Sequence, residues 1–233
     1  MIAVAPSDRN ARGEADAEGL ADVCGVVLCG GESSRMGRDK AILAIGGRSM
    51  LERAVGCLES VVGSTVLAVG STNRYDELDL PRVFDRAGDV GPAAGIRAAL
   101  AQVDAEWFCV LACDMPRVDS ELFEALLSRA RREELDCCFA VAAVGDLPEP
   151  VCAVYHRRCL APMTAALAAG RRRVIAFLDF ELEDGRAVRS GSVAAGEPAH
   201  GAAGSERVMN LNTPEEWERE CAREREQREG GAR

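Results

Sequence analysis

The feature that most constrains this chain is a short apolar run that ends in two glycines. Cys24-Gly25-Val26-Val27-Leu28-Cys29 reads as a strand buried on both faces, the habit of a parallel sheet. Gly30 and Gly31 follow at once, then a polar Glu32-Ser33-Ser34 turn, Arg35, Gly37 and Lys40. Adjacent glycines let successive backbone N–H groups turn towards phosphate oxygens with no Cβ in the way. Arg35 and Lys40 supply charge where a triphosphate carries about four negative charges. The spacing is neither a Walker loop nor the three-glycine dinucleotide fingerprint.

That basic spot has to be local, because the formal net charge is -10. Such a surface repels phosphate backbones and acidic lipids, which argues against nucleic-acid or membrane partners. The ten cysteines sit mostly inside apolar runs, as Cys29, Cys57, Cys109, Cys137, Cys138 and Cys152 do, where a small thiol packs well. There is no Cys-x-x-Cys pair, and the two histidines are His156 and His200, so neither a disulfide framework nor a structural metal is expected. Residues 1–22 lack the apolar core of a secretory signal, and no run reaches the roughly 18 apolar residues of a membrane span. With reduced thiols, a cytoplasmic location is expected.

Strand and helix patterns alternate along the rest of the chain. Residues 1–22 read as a mobile extension without period. Ser49, with Glu52 three residues on, forms a capping box ahead of a helix whose buried face carries Leu51, Val55 and Leu58. Val66–Val69 and Arg82–Asp85 read as strands, and Gly91-Pro92 opens a helix facing inward through Ile96, Leu100 and Val103. Trp107–Ala112 is the most apolar strand, leaving the sheet at Cys113-Asp114-Met115-Pro116. A helix capped by Asp119 or Ser120, a strand at Cys137–Val144 broken by Pro148 and Pro150, a strand at Val151–Tyr155 and a helix ending at Gly170 complete the pattern. Right-handed crossovers then give a three-layer α/β/α, Rossmann-like domain over 23–217 with a mostly parallel sheet and ligands beyond the strands' carboxyl ends. Residues 190–206 read as a flexible loop, and 218–233 as a charged, solvated, fraying tail.

Asp114, at the end of a buried strand, can hold a hard cation against triphosphate oxygens or merely cap a turn. Arg171-Arg172-Arg173, ahead of a helical pattern, can bind a second phosphate or stand as a solvated basic turn. Asn210 and Asn212, preceding the Thr213-Pro214-Glu215-Glu216 capping box, can serve turn chemistry or a ligand.

Four segments in order, Leu28–Lys40, Gly91–Ile96, Cys113–Pro116 and Asn210–Pro214, make the chain resemble the nucleotidyltransferases related to molybdenum cofactor guanylyltransferase, over about Val23 to Trp217. The resemblance implies that GMP passes from GTP to the terminal phosphate of molybdenum-bound molybdopterin, with Mg2+ as cofactor and pyrophosphate leaving. It implies nucleotide contacts at Leu28, Cys29, Gly30, Gly31, Lys40, Gly70, Asp85, Gly91 and Asp114, and a catalytic set of Arg35, Lys40 and Asp114, with Asp114 the metal ligand. Arg172, Arg173, Asn210 and Asn212 fall on the second-substrate side, and molybdoenzyme chaperones or other cofactor-biosynthesis proteins are compatible partners. Where the family has an Asn after its second strand, this chain has Gly70 and Ser71. A pterin cytidylyltransferase, whose first motif reads Leu-Ala-Ala-Gly, a sugar or isoprenoid nucleotidyltransferase, and a non-catalytic nucleotide-binding partner protein are the rival readings.

Overall fold

A computed structural model describes Ile2 and residues 20–30, 39–143, 145–196 and 204–230. Gly31 and Arg35, with the rest of 31–38, lie outside the described residues. Among those described, β1 (Val23–Leu28), β4 (Thr65–Ala68), β5 (Arg82–Val83), β6 (Trp107–Ala112), β7 (Cys137–Val141), β8 (Glu149–His156) and β9 (Ser190–Ala194) form a seven-stranded sheet in the order β5-β4-β1-β6-β8-β7-β9. A two-stranded hairpin, β2 (Ala44–Ile45) with β3 (Arg48–Ser49), stands apart.

All strands of the large sheet run one way except β8, which is antiparallel to both β6 and β7. Alternate residues of the central strands face opposite layers. Val23, Val27, Cys109 and Leu111 pack under helices α1 (Met50–Glu59) and α3 (Ser120–Arg132), while Cys24, Val26, Phe108 and Val110 pack under α2 (Pro92–Gln102) and α4 (Leu160–Ala168). Two apolar faces on one strand explain why β1 and β6 are unbroken apolar runs. The described cysteines are free thiols, seven of them deep in these layers. Burial drives thiols such as Cys24 and Cys29 up to about 12, so they stay protonated.

The helix boundaries follow their caps. Ser49 accepts from the Glu52 N–H while the Glu52 carboxylate returns to the Ser49 N–H, the reciprocal box expected. Asp119, rather than Ser120, caps α3 by accepting from Leu122. Gly170, at φ 74°, lies just past α4.

Three expectations need correction. Ser190–Ala194, read as flexible loop, is a strand beside β7. Its pairing comes from its neighbour rather than from its own apolar pattern, and Gly191 leaves room for Leu135, whose Cδ1 would lie 2.5 Å from any Cβ there. Of the predicted loop, 197–203 lie outside the described residues. The break at the prolines separates two strands as expected, but β7 ends at Val141 rather than Val144 and β8 begins at Glu149, so Pro150 lies inside β8 near the β7–β8 register shift. The charged tail is not simply solvated: α5 (Pro214–Gly230) docks along the β2–β3 hairpin. Arg53 Nη2 lies 2.9 Å from Glu224 and 2.7 Å from the Ile45 carbonyl, and Arg228 reaches the Gly46 carbonyl. Glu220 is buried against Arg117. In the predicted extension, Ile2 bridges to Val103, and Asp22 pairs with Arg131 at 2.6 Å; residues 3–19 lie outside the described set.

Candidate active site

The chain moves from β1 out to β4 and β5, then crosses back to β6 on the other side of β1, so the strand order reverses between β1 and β6. Loops leaving adjacent strands in opposite directions open a crevice at such a point. A cleft of about 800 Å3 lies there, lined by Leu28, Cys29 and Gly30 after β1, Gly70 after β4, Asp85 after β5, Gly91 before α2, Cys113 and Asp114 after β6, and Lys40, Asn210 and Asn212. A smaller hollow at the opposite edge, about 470 Å3, is lined by Glu106, His156, Arg158 and Asp184 and has no glycine in its walls.

Gly30 is required by close packing. A Cβ there would lie 2.5 Å from the Gly70 nitrogen and 2.8 Å from the Val69 carbonyl carbon, so the exits of β1 and β4 meet backbone to backbone. Gly70 has φ 77° and its carbonyl accepts from the Asp85 N–H at 3.0 Å, tying three strand ends together. Gly91 caps α2 at φ 88° without a side chain; Pro92 has no N–H, and Ala94 and Gly95 donate to the Gly91 carbonyl, so Ala93 carries the N–H left outside the helix ladder. Gly95 lets α2 approach β1 and β4, since a Cβ would meet Leu28 at 3.2 Å and Ala68 at 3.4 Å.

Asp39 accepts from the Ala41 N–H and starts a short 3-10 turn, Lys40–Ile42, that aims Lys40 into the cleft. Lys40 Nζ donates to Asn212 Oδ1 at 2.8 Å and lies 3.5 Å from Asp114 Oδ2. Burial raises the Asp114 carboxyl, and the Lys40 charge offsets part of that rise. The Leu211 N–H donates to the Asp114 carbonyl at 2.8 Å. Leu211 itself is buried with Ile45 and Met50, so alternation along the backbone leaves Asn210 and Asn212 on the cleft side. The helix cap is made instead by Thr213 and Glu216, whose box is reciprocal.

Two residues escaped the sequence reading. Tyr75 is buried at φ 61°, and its hydroxyl lies 2.8 Å from Asp39 Oδ2 and 3.2 Å from the Cys29 carbonyl. It thus clasps both ends of the glycine-rich segment. The loop that carries it is held by Arg82, which donates to the carbonyls of Arg74 and Tyr75, both at 2.9 Å. Glu149 is the second. It pairs with Ala140 of β7 at the start of β8, near enough to Asp114 for the two carboxylates to act on each other. Burial and the Asp114 charge raise the Glu149 carboxyl, while a hydrogen bond from Asn210 lowers it. Only an antiparallel β8 brings a strand's beginning to the edge where its neighbours end, which a parallel reading hides.

Arg172 and Arg173 are exposed and are not among the cleft's lining residues. Arg171 pairs with Asp179 and covers Phe180. Asn73, near the position of the family's Asn, donates to Asp76 at 2.9 Å within its own turn, while Ser71 and Thr72 line the cleft. Among the described residues no three His, Cys, Asp or Glu side chains gather as a metal cage, and no helix is long and apolar enough to cross a membrane.

Residues 25–184 match the family described as the MobA-like NTP transferase domain. The chain is 37% identical over 154 residues to a molybdenum cofactor guanylyltransferase of Photobacterium profundum, covering 64% of this chain and 77% of that one. It is 34% identical over 158 residues to a probable molybdenum cofactor guanylyltransferase of Trichormus variabilis, covering 63% and 72%. Its fold is similar to that of molybdopterin-guanine dinucleotide biosynthesis protein A from Archaeoglobus fulgidus, with a TM-score of 0.68, 22% identity, and 85% and 97% of the two chains covered.

Proposed function

The chain belongs to the MobA-like NTP transferase domain family, and from that premise we propose that it transfers GMP from GTP to the terminal phosphate of molybdenum-bound molybdopterin. An oxygen of the acceptor phosphate forms a bond to the α-phosphorus, the bond to the β-phosphate oxygen breaks, and pyrophosphate leaves. The acceptor is already ionised near neutral pH, so the protein's task is positioning and charge neutralisation rather than proton abstraction.

The observation that carries this reading is the convergence of Gly30, Lys40, Asp85, Gly91, Asp114, Asn210 and Asn212 on one cleft at the switch point. The Cys29 and Gly30 N–H groups already donate to the Ala68 carbonyl, so the glycine-rich segment serves the nucleotide's phosphates by close backbone approach, and the Ala93 N–H at the α2 N-terminus is the donor there. Lys40 neutralises phosphate charge on ligand binding, exchanging its contacts with Asp114 and Asn212. Arg35 stabilises the departing pyrophosphate. Asn210 and Asn212 face the acceptor, with Arg172 and Arg173 further out on the same substrate's side.

The donor set fits Mg2+: the neighbouring Asp114 and Glu149 carboxylates offer oxygen ligands, and Mg2+ is held by one or two carboxylates plus phosphates rather than by a protein cage. Asp114 would hold it with help from Glu149, and when bound it would neutralise triphosphate charge and polarise the α-phosphate. Selection of GTP is supported by the Gly30-Gly31 pair. Partners among chaperones or other cofactor-biosynthesis proteins, and a cytoplasmic setting, belong to the same reading.

A transfer assay with molybdopterin and GTP, CTP or ATP tests it. GTP is expected to be strongly preferred, and Asp114→Asn is expected to abolish transfer with the circular dichroism spectrum unchanged. Preference for CTP would replace the guanylyl assignment, and near-normal turnover of Asp114→Asn at saturating Mg2+ would remove Asp114 from the chemistry.

A further inference from the structure

Arg97 is out of place on its helix. It lies in α2 between Ile96 and Ala98, both fully buried, and is itself only 2% exposed. A guanidinium keeps its charge in any protein interior and carries five donors, so its burial is tolerated only against carboxylates. Asp89 supplies one, with Oδ2 3.3 Å from Arg97 Nε. Asp85 supplies the second charge: each of the two acts electrostatically on the other.

The trio is incomplete in its hydrogen bonding. Arg97 Nε and Nη2 and Asp85 Oδ1 are buried with no hydrogen-bond partner among the described residues. Buried donors and acceptors left unmet are costly, and a cluster of them at one place points to a group that arrives later. Asp85 and Asp89 line the nucleotide cleft beside Gly91, whereas Arg97 lies behind its wall. The Asp85 backbone is already fixed by its bond to Gly70, so only its carboxylate remains to be oriented.

We propose that Arg97 is a base-positioning residue: from behind the cleft wall it holds Asp89 by an ion pair and keeps a positive charge near the Asp85 carboxylate, so that Asp85 offers its acceptors to the nucleobase and sets the preference for guanine. The inference rests on the guanylyl-transfer reading. Guanine offers two adjacent donors, the ring N–H and the exocyclic amine, and an ionised carboxylate is acceptor-only, so the two match. Adenine sets a ring acceptor where guanine has the ring donor and meets the same carboxylate unfavourably.

The test uses the full-length protein with Arg97→Met, Arg97→Lys and Asp89→Asn, comparing GTP, ITP and CTP as donors; ITP lacks the exocyclic amine. Circular dichroism and melting curves report the fold. Arg97→Met is expected to raise KM for GTP about tenfold to a hundredfold, the worth of one charge-assisted contact. The GTP/ITP and GTP/CTP preferences should fall towards unity, while kcat at saturating GTP changes by less than about threefold. Arg97→Lys, which keeps charge without the fork, should recover part of the preference, and Asp89→Asn should lose part of it. A purely structural role would lower all three donors together and leave the ratios alone. A folded Arg97→Met that keeps the wild-type ratios within about twofold overturns the proposal. Should Arg97→Met not fold, wild-type ratios in both Arg97→Lys and Asp89→Asn overturn it equally. A wild-type protein that neither binds GTP nor transfers GMP sinks the underlying function itself, an outcome seen before any variant is made.

Discussion

Gly30 carries a demand that a single methyl group would break. The atoms it would strike belong to the Val69–Gly70 backbone rather than to a flexible side chain, so Gly30→Ala must push β1 and β4 apart at the cleft. Overpacking of this kind costs about 1–3 kcal/mol, and urea denaturation together with a GTP titration should show both lower stability and weaker binding. Tyr75→Phe should act more gently: losing the hydroxyl that joins Asp39 to the Cys29 carbonyl costs about 1 kcal/mol and should raise KM for GTP with kcat little changed. An unchanged KM would show that the clasp is idle. The glycines, Lys40 and Asp114 were legible in the sequence because their chemistry is local: a turn after a strand, a carboxylate at a strand end. Tyr75, Glu149 and Arg97 were not, because each acquires meaning only from residues far along the chain. Asn73 illustrates the converse, a side chain of the expected type spent on its own turn.

Among the elements, β7 begins at the best-satisfied buried charge of the molecule. Asp136 is fully buried and accepts from Arg158 Nε at 2.9 Å, from both Arg186 terminal nitrogens at 2.8 and 2.9 Å, and from the Arg189 N–H at 2.9 Å. These bonds outweigh burial and hold its carboxyl below the ordinary range. The unfolded chain therefore binds the proton more readily, so the stabilisation is complete above about pH 5 and lost as pH falls below about 4. Asp136→Asn should destabilise by about 3–5 kcal/mol, the cost of stranding buried partners, and should flatten this acid limb of a melting-temperature profile. A variant with an unaltered acid limb would place the titration elsewhere. The same network anchors the entry to β9, the strand that the Gly, Ala and Ser composition of 190–206 concealed. Amphipathic helices and two-faced strands announce themselves by period, as α1, α3, β1 and β6 did. An edge strand paired by its neighbour, and the reversed direction of β8, leave no such trace.

For the molecule as a whole, the C-terminal helix is part of the site's frame. Leu211, Ile45 and Met50 form one buried cluster, with Trp217 and Cys221 packed against it, and the hairpin it supports follows directly on the turn that aims Lys40. Deleting residues from Pro214 onwards should lower the melting temperature and weaken GTP binding even though none of the described residues so deleted lines the cleft. Equal GTP affinity in the truncated chain would show that the helix only decorates the surface. GTP with Mg2+ should raise the melting temperature of the full chain, and a chelator should remove most of that increment, by the linkage of binding to folding.

The reversed strand has one more consequence, for the order in which the protein becomes an enzyme. The segments proposed to meet the nucleotide come mainly from the first half of the chain, whereas Glu149, Asn210 and Asn212 come from the second. Synthesis runs from the N-terminus at about 5–20 residues per second, so the proposed nucleotide side of the cleft leaves the ribosome well before the opposite wall. The Leu211–Asp114 bond that joins the two is among the last contacts available to the growing chain. The cleft is complete only when both halves of the chain have been made, so group transfer waits on the late segment that carries Asn210 and Asn212.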